Sequence, residues 1–266
     1  MEIKDWLPDN ELGQIIWEKK YRQNHETLDE WFERVSGGDN DIKQLIIDKK
    51  FLFGGRALKN RGGDETKSMF NCYSRGFIED NMQDIIQADK DITLTFVAEG
   101  GQGLSLSKIR PKDSPIKGKT LSAGVINWVE KYENTTKTTL QGGGRRGALL
   151  ISLDIWHKDS DEFIRCKTNL DKFKSCNISV EIDDDFMNCV LYSIEQNKPI
   201  YIKRKFTFDS GSIDYEICPL NLFKLLCESA KNSAEPGVIF TNRFRNYNLM
   251  EYVTTYNIEN CNPCGR

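Results

Sequence analysis

Five short apolar runs, each separated from the next by a helical stretch, constrain the fold of this chain more than any other feature. They are "MFNCYS" (69–74), "GLSLSKI" (103–109), "ALLISLDI" (148–155), "CNISVEI" (176–182) and "GVIFTN" (237–242). Strand, helix, strand, repeated, implies parallel strands joined by right-handed crossovers and covered by helices, the α/β architecture. Five such strands make either a complete open sheet or half of a closed barrel, and the pattern leaves both open. A further pair of runs, "PIYIKRKFTF" and "SIDYEI" around "DSGS", predicts a hairpin ahead of the helix "PLNLFKLLCESAKN". Upstream, "GQIIWEKKY", "TLDEWFERV" and "DIKQLIIDKKF" repeat apolar residues at helical spacing. Residues 1–60 are therefore expected to form a small helical region and residues 61–266 the α/β part. Thr27 with Glu30 fits a capping box at the head of the second helix.

Composition removes several classes of function. Lys+Arg 37 against Asp+Glu 40 gives a net charge of −3, so no global basic field is available to hold DNA or RNA by its phosphates, and any nucleotide must be held locally. No run of eighteen apolar residues occurs, and "MEIKDWLPDN" lacks the basic flank and apolar core of a signal peptide. The chain reads as cytoplasmic and not membrane-bound. Its 8 cysteines are then expected to be reduced. Cys166, Cys189, Cys218 and Cys227 fall in regular patterns and read as small buried hydrophobes.

Three motifs ask for chemistry. "GGGRRG" (142–147) has the spacing of a dinucleotide-binding turn, but a polar helix precedes it and a strand follows, the reverse of the order that fingerprint needs. Its glycines and arginines instead suit a loop that touches phosphate or a base. "EGGQGLSLSKIRPKDSPIKGK" (99–119) has the same character: Gly100, Gly101 and Gly103 permit close approach to backbone, and Arg110, Lys112, Lys117 and Lys119 line the loop that follows. Cys261 and Cys264 form a single CxxC. Zinc is poorly supported, because no second CxxC exists and the histidines are only His25 and His157. A thioredoxin-type pair wants its nucleophile at a helix N-terminus, whereas here proline and glycine run into the last residue. "NPCG" describes a cysteine presented on a stiff turn beside an amide side chain.

Taken in order, "FNCYS" (70–74), "EGGQGLSLSKIRP" (99–111), "QGGGRRGALLISLDIWHKDSDEFIRCK" (141–167), "CNISVEI" (176–182) and "NPCG" (262–265) resemble the motif series of the ribonucleotide reductase catalytic subunit, most closely its adenosylcobalamin-dependent class II type. The resemblance implies a ten-stranded α/β barrel of two five-stranded halves, with the five strands here as the first half and a finger loop through the centre. It implies that Cys264 is the thiyl radical site that removes the 3′ hydrogen of the ribose, that Asn262 bonds the sugar hydroxyls, and that Cys72 belongs to the redox pair that drives loss of the 2′ hydroxyl. Ala57, Asn71 and Gly101 would approach the substrate through backbone atoms, and Gln141 and Arg146 would face its base. Asp80, Arg110, Lys117 and Arg145 would hold a deoxynucleoside triphosphate or ATP effector, coupled to substrate choice through the loops at 112–122 and 141–147. Implied partners are a ribonucleoside di- or triphosphate, adenosylcobalamin, an external dithiol and a thioredoxin-like reductant. Cobalamin contacts would lie mostly beyond the residues present. Cys261 stands where serine or threonine is expected, and no catalytic role attaches to it.

The family motif continues NPCGE, its glutamate acting as general base on the 3′ hydroxyl; Arg266 stands in that place. The second redox cysteine and the other half-barrel would also lie further on. The expectation is a companion chain carrying the C-terminal half, the gene being interrupted in the finger loop by an intron, intein or split site. A decayed gene and a non-catalytic effector-binding remnant are the alternatives, as is a class I subunit that takes its radical from a separate metal-containing partner. A half barrel should expose sheet edges and an open apolar face.

Overall fold

The computed structural model describes residues 1–63, 67–116, 120–139, 147–168, 172–249, 258 and 260–264. The chain divides into two compact units, Met1–Asn71 and Cys72–Arg266. The first unit is helical: α1 (Ile3–Trp6), α2 (Glu11–Ile16) running on into a π turn (Trp17–Tyr21), α3 (Leu28–Ser36), α4 (Asn40–Ile47) and α5 (Gly55–Asn60). Its core is aromatic, with Trp6, Trp17, Trp31 and Phe32 packed around Val35 and Ile46. The capping box is present: Thr27 Oγ1 accepts from Glu30 N (3.3 Å) and Glu30 Oε2 accepts from Thr27 N (2.7 Å). Gly37, at φ 72°, ends α3 in the left-handed conformation that glycine adopts without strain.

The second unit alternates strands and helices in the expected order: β1 (Cys72–Phe77), α6 (Met82–Val97), β2 (Gly101–Ser105), α7 (Val125–Thr138), β3 (Leu149–Asp154), α8 (Ser160–Arg165), β4 (Cys176–Ile182), α9 (Asp184–Glu195), the hairpin β5 (Ile202–Phe208) and β6 (Gly211–Ile217), α10 (Pro219–Ser233), β7 (Gly237–Phe240) and α11 (Thr241–Asn246). The five strands β1-β2-β3-β4-β7 form one all-parallel sheet, and β5 pairs antiparallel with β6. This is an α/β fold. The strand predicted at 103–109 begins and ends earlier, at Gly101 and Ser105.

The pleat sorts side chains by face. Leu104, Leu149, Ile151, Leu153, Ile178 and Val180 join Ile92, Phe96, Val129, Tyr132, Phe163 and Phe186 of the helices in one buried core. Alternate positions, paired across the register, point the other way: Gly103 with Leu150, Ser105 with Ser152, Ser152 with Ser179, Asp154 with Glu181, Ser179 with Gly237. The face opposite the helices is therefore built largely from glycine and polar residues across β2 to β4, with Leu150 and Ile239 at its apolar positions toward β7. Its parallel strands are not apolar on both sides because something other than a second helix layer lies against them.

Candidate functional site

That something is the segment 260–264. A Cβ placed on Gly103 would lie 2.0 Å from the Cys261 carbonyl oxygen and 3.0 Å from Asn262 Cα, and one on Gly101 would lie 3.1 Å from Pro263 Cγ. Only glycine lets the segment lie so close to β2. It runs across the polar face from Asn260, beside Ser152 of β3, to Cys264 at the start of β1. Ser74 Oγ donates to the Asn260 carbonyl (3.2 Å), and Asn260 Oδ1 accepts from Cys261 N (2.6 Å) and from Ser152 Oγ (3.1 Å). Asn262 Oδ1 accepts from Cys264 N (3.0 Å), so the amide beside the turn holds the cysteine's backbone.

At the tip the sulfurs of Cys72 and Cys264, 192 residues apart in sequence, are 3.4 Å from each other. Cys264 is exposed and Cys72 half-buried. Cys261 is 1% exposed, and burial, reinforced by the charge of Glu181, pushes its thiol up to about 11. A cleft of about 690 Å³ opens beside the segment, lined by Asn177, Ser179, Glu235, Arg243, Cys261 and Pro263 among others.

A second cluster lies past the carboxyl ends of β1 and β2, the end of a parallel sheet where ligands bind. Asp80 accepts from Arg110 Nε (2.7 Å) and from Arg110 N (3.1 Å); the Arg110 guanidinium also bonds the Pro115 carbonyl (3.1 Å) and lies 5.0 Å from the centre of the Phe208 ring. Asp159 fixes the loop that follows, accepting from Lys112 N (3.0 Å) and Val125 N (3.1 Å). Two of the four residues expected to hold an effector thus hold each other. Lys117, Gln141, Arg145, Arg146 and Arg266 lie outside the described residues. Ala57 is half-buried in α5 and Asn71 is exposed at the end of the first unit. Of the cysteines read as buried, Cys218 is buried, Cys166 and Cys189 are half-buried, and Cys227 is exposed on α10, which corrects that expectation for Cys227.

Sequence reasoning missed the polar layer beneath the segment, Ser74, Ser105, Ser152 and Glu181, and Asn260 at the segment's root, which bonds to Ser74 and Ser152. The available signal was a glutamate inside the strand "CNISVEI", where a run buried on both sides should carry none. Glu181 is 6% exposed; burial pushes its carboxyl above the usual range against hydrogen bonds from Ser152 and Ser105, and Asp154 pushes the same way.

The family model described as "Ribonucleotide reductase, barrel domain" matches residues 71–265, which include both sulfurs and every strand of the sheet. The chain belongs to the ribonucleotide reductase barrel family. Its relatives include a vitamin B12-dependent ribonucleoside-diphosphate reductase of Thermoplasma acidophilum, 30% identical over 228 residues covering 85% of this chain and 28% of that protein. Another of the same name, from Mycobacterium tuberculosis, is 28% identical over 238 residues, 88% of this chain and 32% of its own length. A ribonucleoside-diphosphate reductase large subunit of Vaccinia virus is 34% identical over 127 residues, 47% of this chain and 16% of its own. The chain spans about a third or less of the length of these ribonucleotide reductases.

Proposed function

We infer that this chain supplies the thiol-bearing part of a ribonucleotide reductase active site, in which ribonucleotides become 2′-deoxyribonucleotides. The observation that carries this reading is the 3.4 Å approach of Cys72 and Cys264 across the glycine face of a parallel sheet. In this reading Cys264, as a thiyl radical, takes the 3′ hydrogen of the ribose and later returns it. Cys72, with a second thiol, gives up two electrons and two protons; the 2′ hydroxyl leaves as water and a disulfide remains, to be reduced by an external dithiol carried by a thioredoxin-like protein. The substrate is a ribonucleoside di- or triphosphate, held beside the tip by Asn262 and by backbone at Gly101.

The names of the relatives point to a B12-type cofactor, adenosylcobalamin in this reading. Such a group, when bound, supplies an organic radical that takes a hydrogen atom from a thiol. The residue here that fits it is Cys264, whose exposed sulfur stands on a turn with its backbone N–H bonded to Asn262. What this chain does is present that sulfur and keep a second within reach. A thiyl radical must be screened from solvent, so the exposed tip is to be covered by further protein of the same enzyme, which also supplies the second redox cysteine and the general base. Asp80 and Arg110, past the opposite end of the strands, belong to a deoxynucleoside triphosphate or ATP effector site for which Lys117 and Arg145 are the further candidates, and the loops at 112–122 and 141–147 carry its influence to substrate choice. The Vaccinia likeness favours a second reading, a class I large subunit, which would not require cobalamin.

The test is reconstitution: the chain with a companion protein carrying the remaining barrel, adenosylcobalamin, a dithiol and labelled ribonucleotide. Labelled deoxyribonucleotide is expected from the native chain and none from Cys264→Ser. Product from Cys264→Ser would remove that sulfur from the mechanism, and product without cobalamin would favour the second reading.

A further inference from the structure

A carboxyl group in the middle of a parallel sheet is costly unless it is bonded, and among the described residues Glu181 forms no ion pair with Lys or Arg. Its partners are hydroxyls. Ser152 Oγ lies 2.6 Å from Glu181 Oε1, and Ser107 Oγ, itself 2.8 Å from Ser105 Oγ, lies 3.3 Å from Oε2. The chain of bonds continues into the finger: Ser152 Oγ to Asn260 Oδ1 at 3.1 Å, and Cys261 N to the same oxygen at 2.6 Å. One residue on β4 is therefore linked, through one hydroxyl on β3, to the root of the segment whose tip carries Cys264.

Counting hydrogens decides how the link works. The Ser152 hydroxyl has one hydrogen and three oxygens in reach: Glu181 Oε1, Asn260 Oδ1 and, at 3.3 Å, the Leu104 carbonyl. Beside an ionised Glu181 that hydrogen turns to the carboxylate, and Asn260 Oδ1 keeps only the Cys261 N–H. Beside a neutral Glu181 the acid donates to Ser152 Oγ, and Ser152 passes its own hydrogen to Asn260. Glu181, Ser152 and Asn260 are then joined in one directed chain of hydrogen bonds. Burial of the carboxyl and the nearby charge of Asp154 favour the neutral form. Asn260 is 7% exposed, so its bonds are made away from water, where losing one has its full effect.

We propose that Glu181 is a positioning residue: acting through Ser152 and Asn260, it pins the root of the finger to the sheet and so fixes Cys264 opposite Cys72. The proposal rests on the reading that these two sulfurs work at one site.

The experiment needs no turnover. Diamide, which takes two electrons and two protons from a pair of thiols, is added to the reduced chain, and the rate of Cys72–Cys264 disulfide formation is followed by peptide mass spectrometry. Glu181→Ala and Asn260→Ala are expected to slow closure about tenfold, the effect of losing one buried hydrogen bond. Glu181→Gln is expected to stay within about twofold of the native chain, because its amide donates to Ser152 Oγ as the neutral acid does. Circular dichroism and continued protection of Cys176 from alkylation establish that each variant is folded. Should Glu181→Ala not fold, Ser152→Ala removes the same link at a single hydroxyl and is expected to show the same slowing. Closure at the native rate in the folded alanine variants, or a glutamine variant as slow as alanine, overturns the pin while leaving the thiol pair intact. Failure of the native chain itself to close overturns both.

Discussion

Replacing Gly103 with alanine puts one methyl group where the finger's backbone runs. The new Cβ would sit 2.0 Å from the Cys261 carbonyl oxygen, against about 3.4 Å for an ordinary contact, so the finger must retreat by roughly 1.4 Å. The obstacle is backbone, which cannot swing aside as a side chain can. Retreat of that size breaks the bonds that tie the segment to the sheet, Ser152 Oγ to Asn260 Oδ1 (3.1 Å) and Ser74 Oγ to the Asn260 carbonyl (3.2 Å), and opens the 3.4 Å gap between the sulfurs. Overpacking of a filled interior costs about 1–3 kcal/mol; at about 2 kcal/mol the closed arrangement falls roughly 30-fold in population. Equilibration of the chain in a dithiothreitol redox buffer, followed by quantitation of the Cys72–Cys264 disulfide, reads that population. Gly54→Ala, where a Cβ meets nothing within 4 Å, is the control and should match the native chain. An unchanged disulfide population in a folded Gly103→Ala chain would refute the close seating of the finger on β2.

Other outcomes follow from buried groups elsewhere. Tyr132 Oη donates to the Ile85 carbonyl (3.0 Å) at a fully buried site, so Tyr132→Phe should lower stability by about 1 kcal/mol, read as a shift of the urea midpoint. Asp159→Ala removes the acceptor of Lys112 N and Val125 N and should open residues 112–122 to limited proteolysis, with a loss of about 1–2 kcal/mol. Glu181 and Asp154 both have folded-state values raised above their ordinary 4.5 and 3.8, so the stability they confer is fully present below those values and is lost as pH rises through the raised ones. Glu181→Gln should flatten the fall of the urea midpoint with rising pH by the glutamate's share, leaving that of Asp154. Burial pushes the thiols of Cys166 and Cys176 up to about 12, so iodoacetamide at pH 8 should label exposed Cys227 and Cys264 first and those two last.

The five parallel strands and the hairpin were legible in the sequence because short runs alternate with helical stretches, and because β3 and β4 carry rows of branched apolar residues for the helix side, as in Leu149, Ile151 and Leu153. The β2 boundary was not. Gly100 to Gln102 read as loop, since glycine weakens a strand in isolation; here Gly101 as well as Gly103 sits in the sheet, where the segment 260–264 needs the room. Cys264 and Cys72 could be named from motifs, yet nothing local to either says that their sulfurs meet, which depends on a crossing of β2 by residues 160 positions away. Glu181 was passed over for the same reason: its partners Ser152 and Ser107 come from β3 and from the loop after β2. Periodicity records which face a residue takes, whereas a polar residue's partner is known only after the chain has folded. The second face of the sheet illustrates the point, since its glycine and serine positions on β2 and β3 are shaped for a strip of backbone.

The claim that matters most is that the sulfur of Cys264 takes hydrogen from C3′ of the ribose. Substrate tritiated at C3′, turned over by the chain in its reconstituted enzyme, measures this directly, since hydrogen passed to a thiol exchanges with water. With the native chain most of the tritium should return to C3′ of the deoxyribonucleotide and a small part should appear in water, and with Cys264→Ser neither labelled product nor tritiated water should form. Release at the native rate from Cys264→Ser would contradict the account.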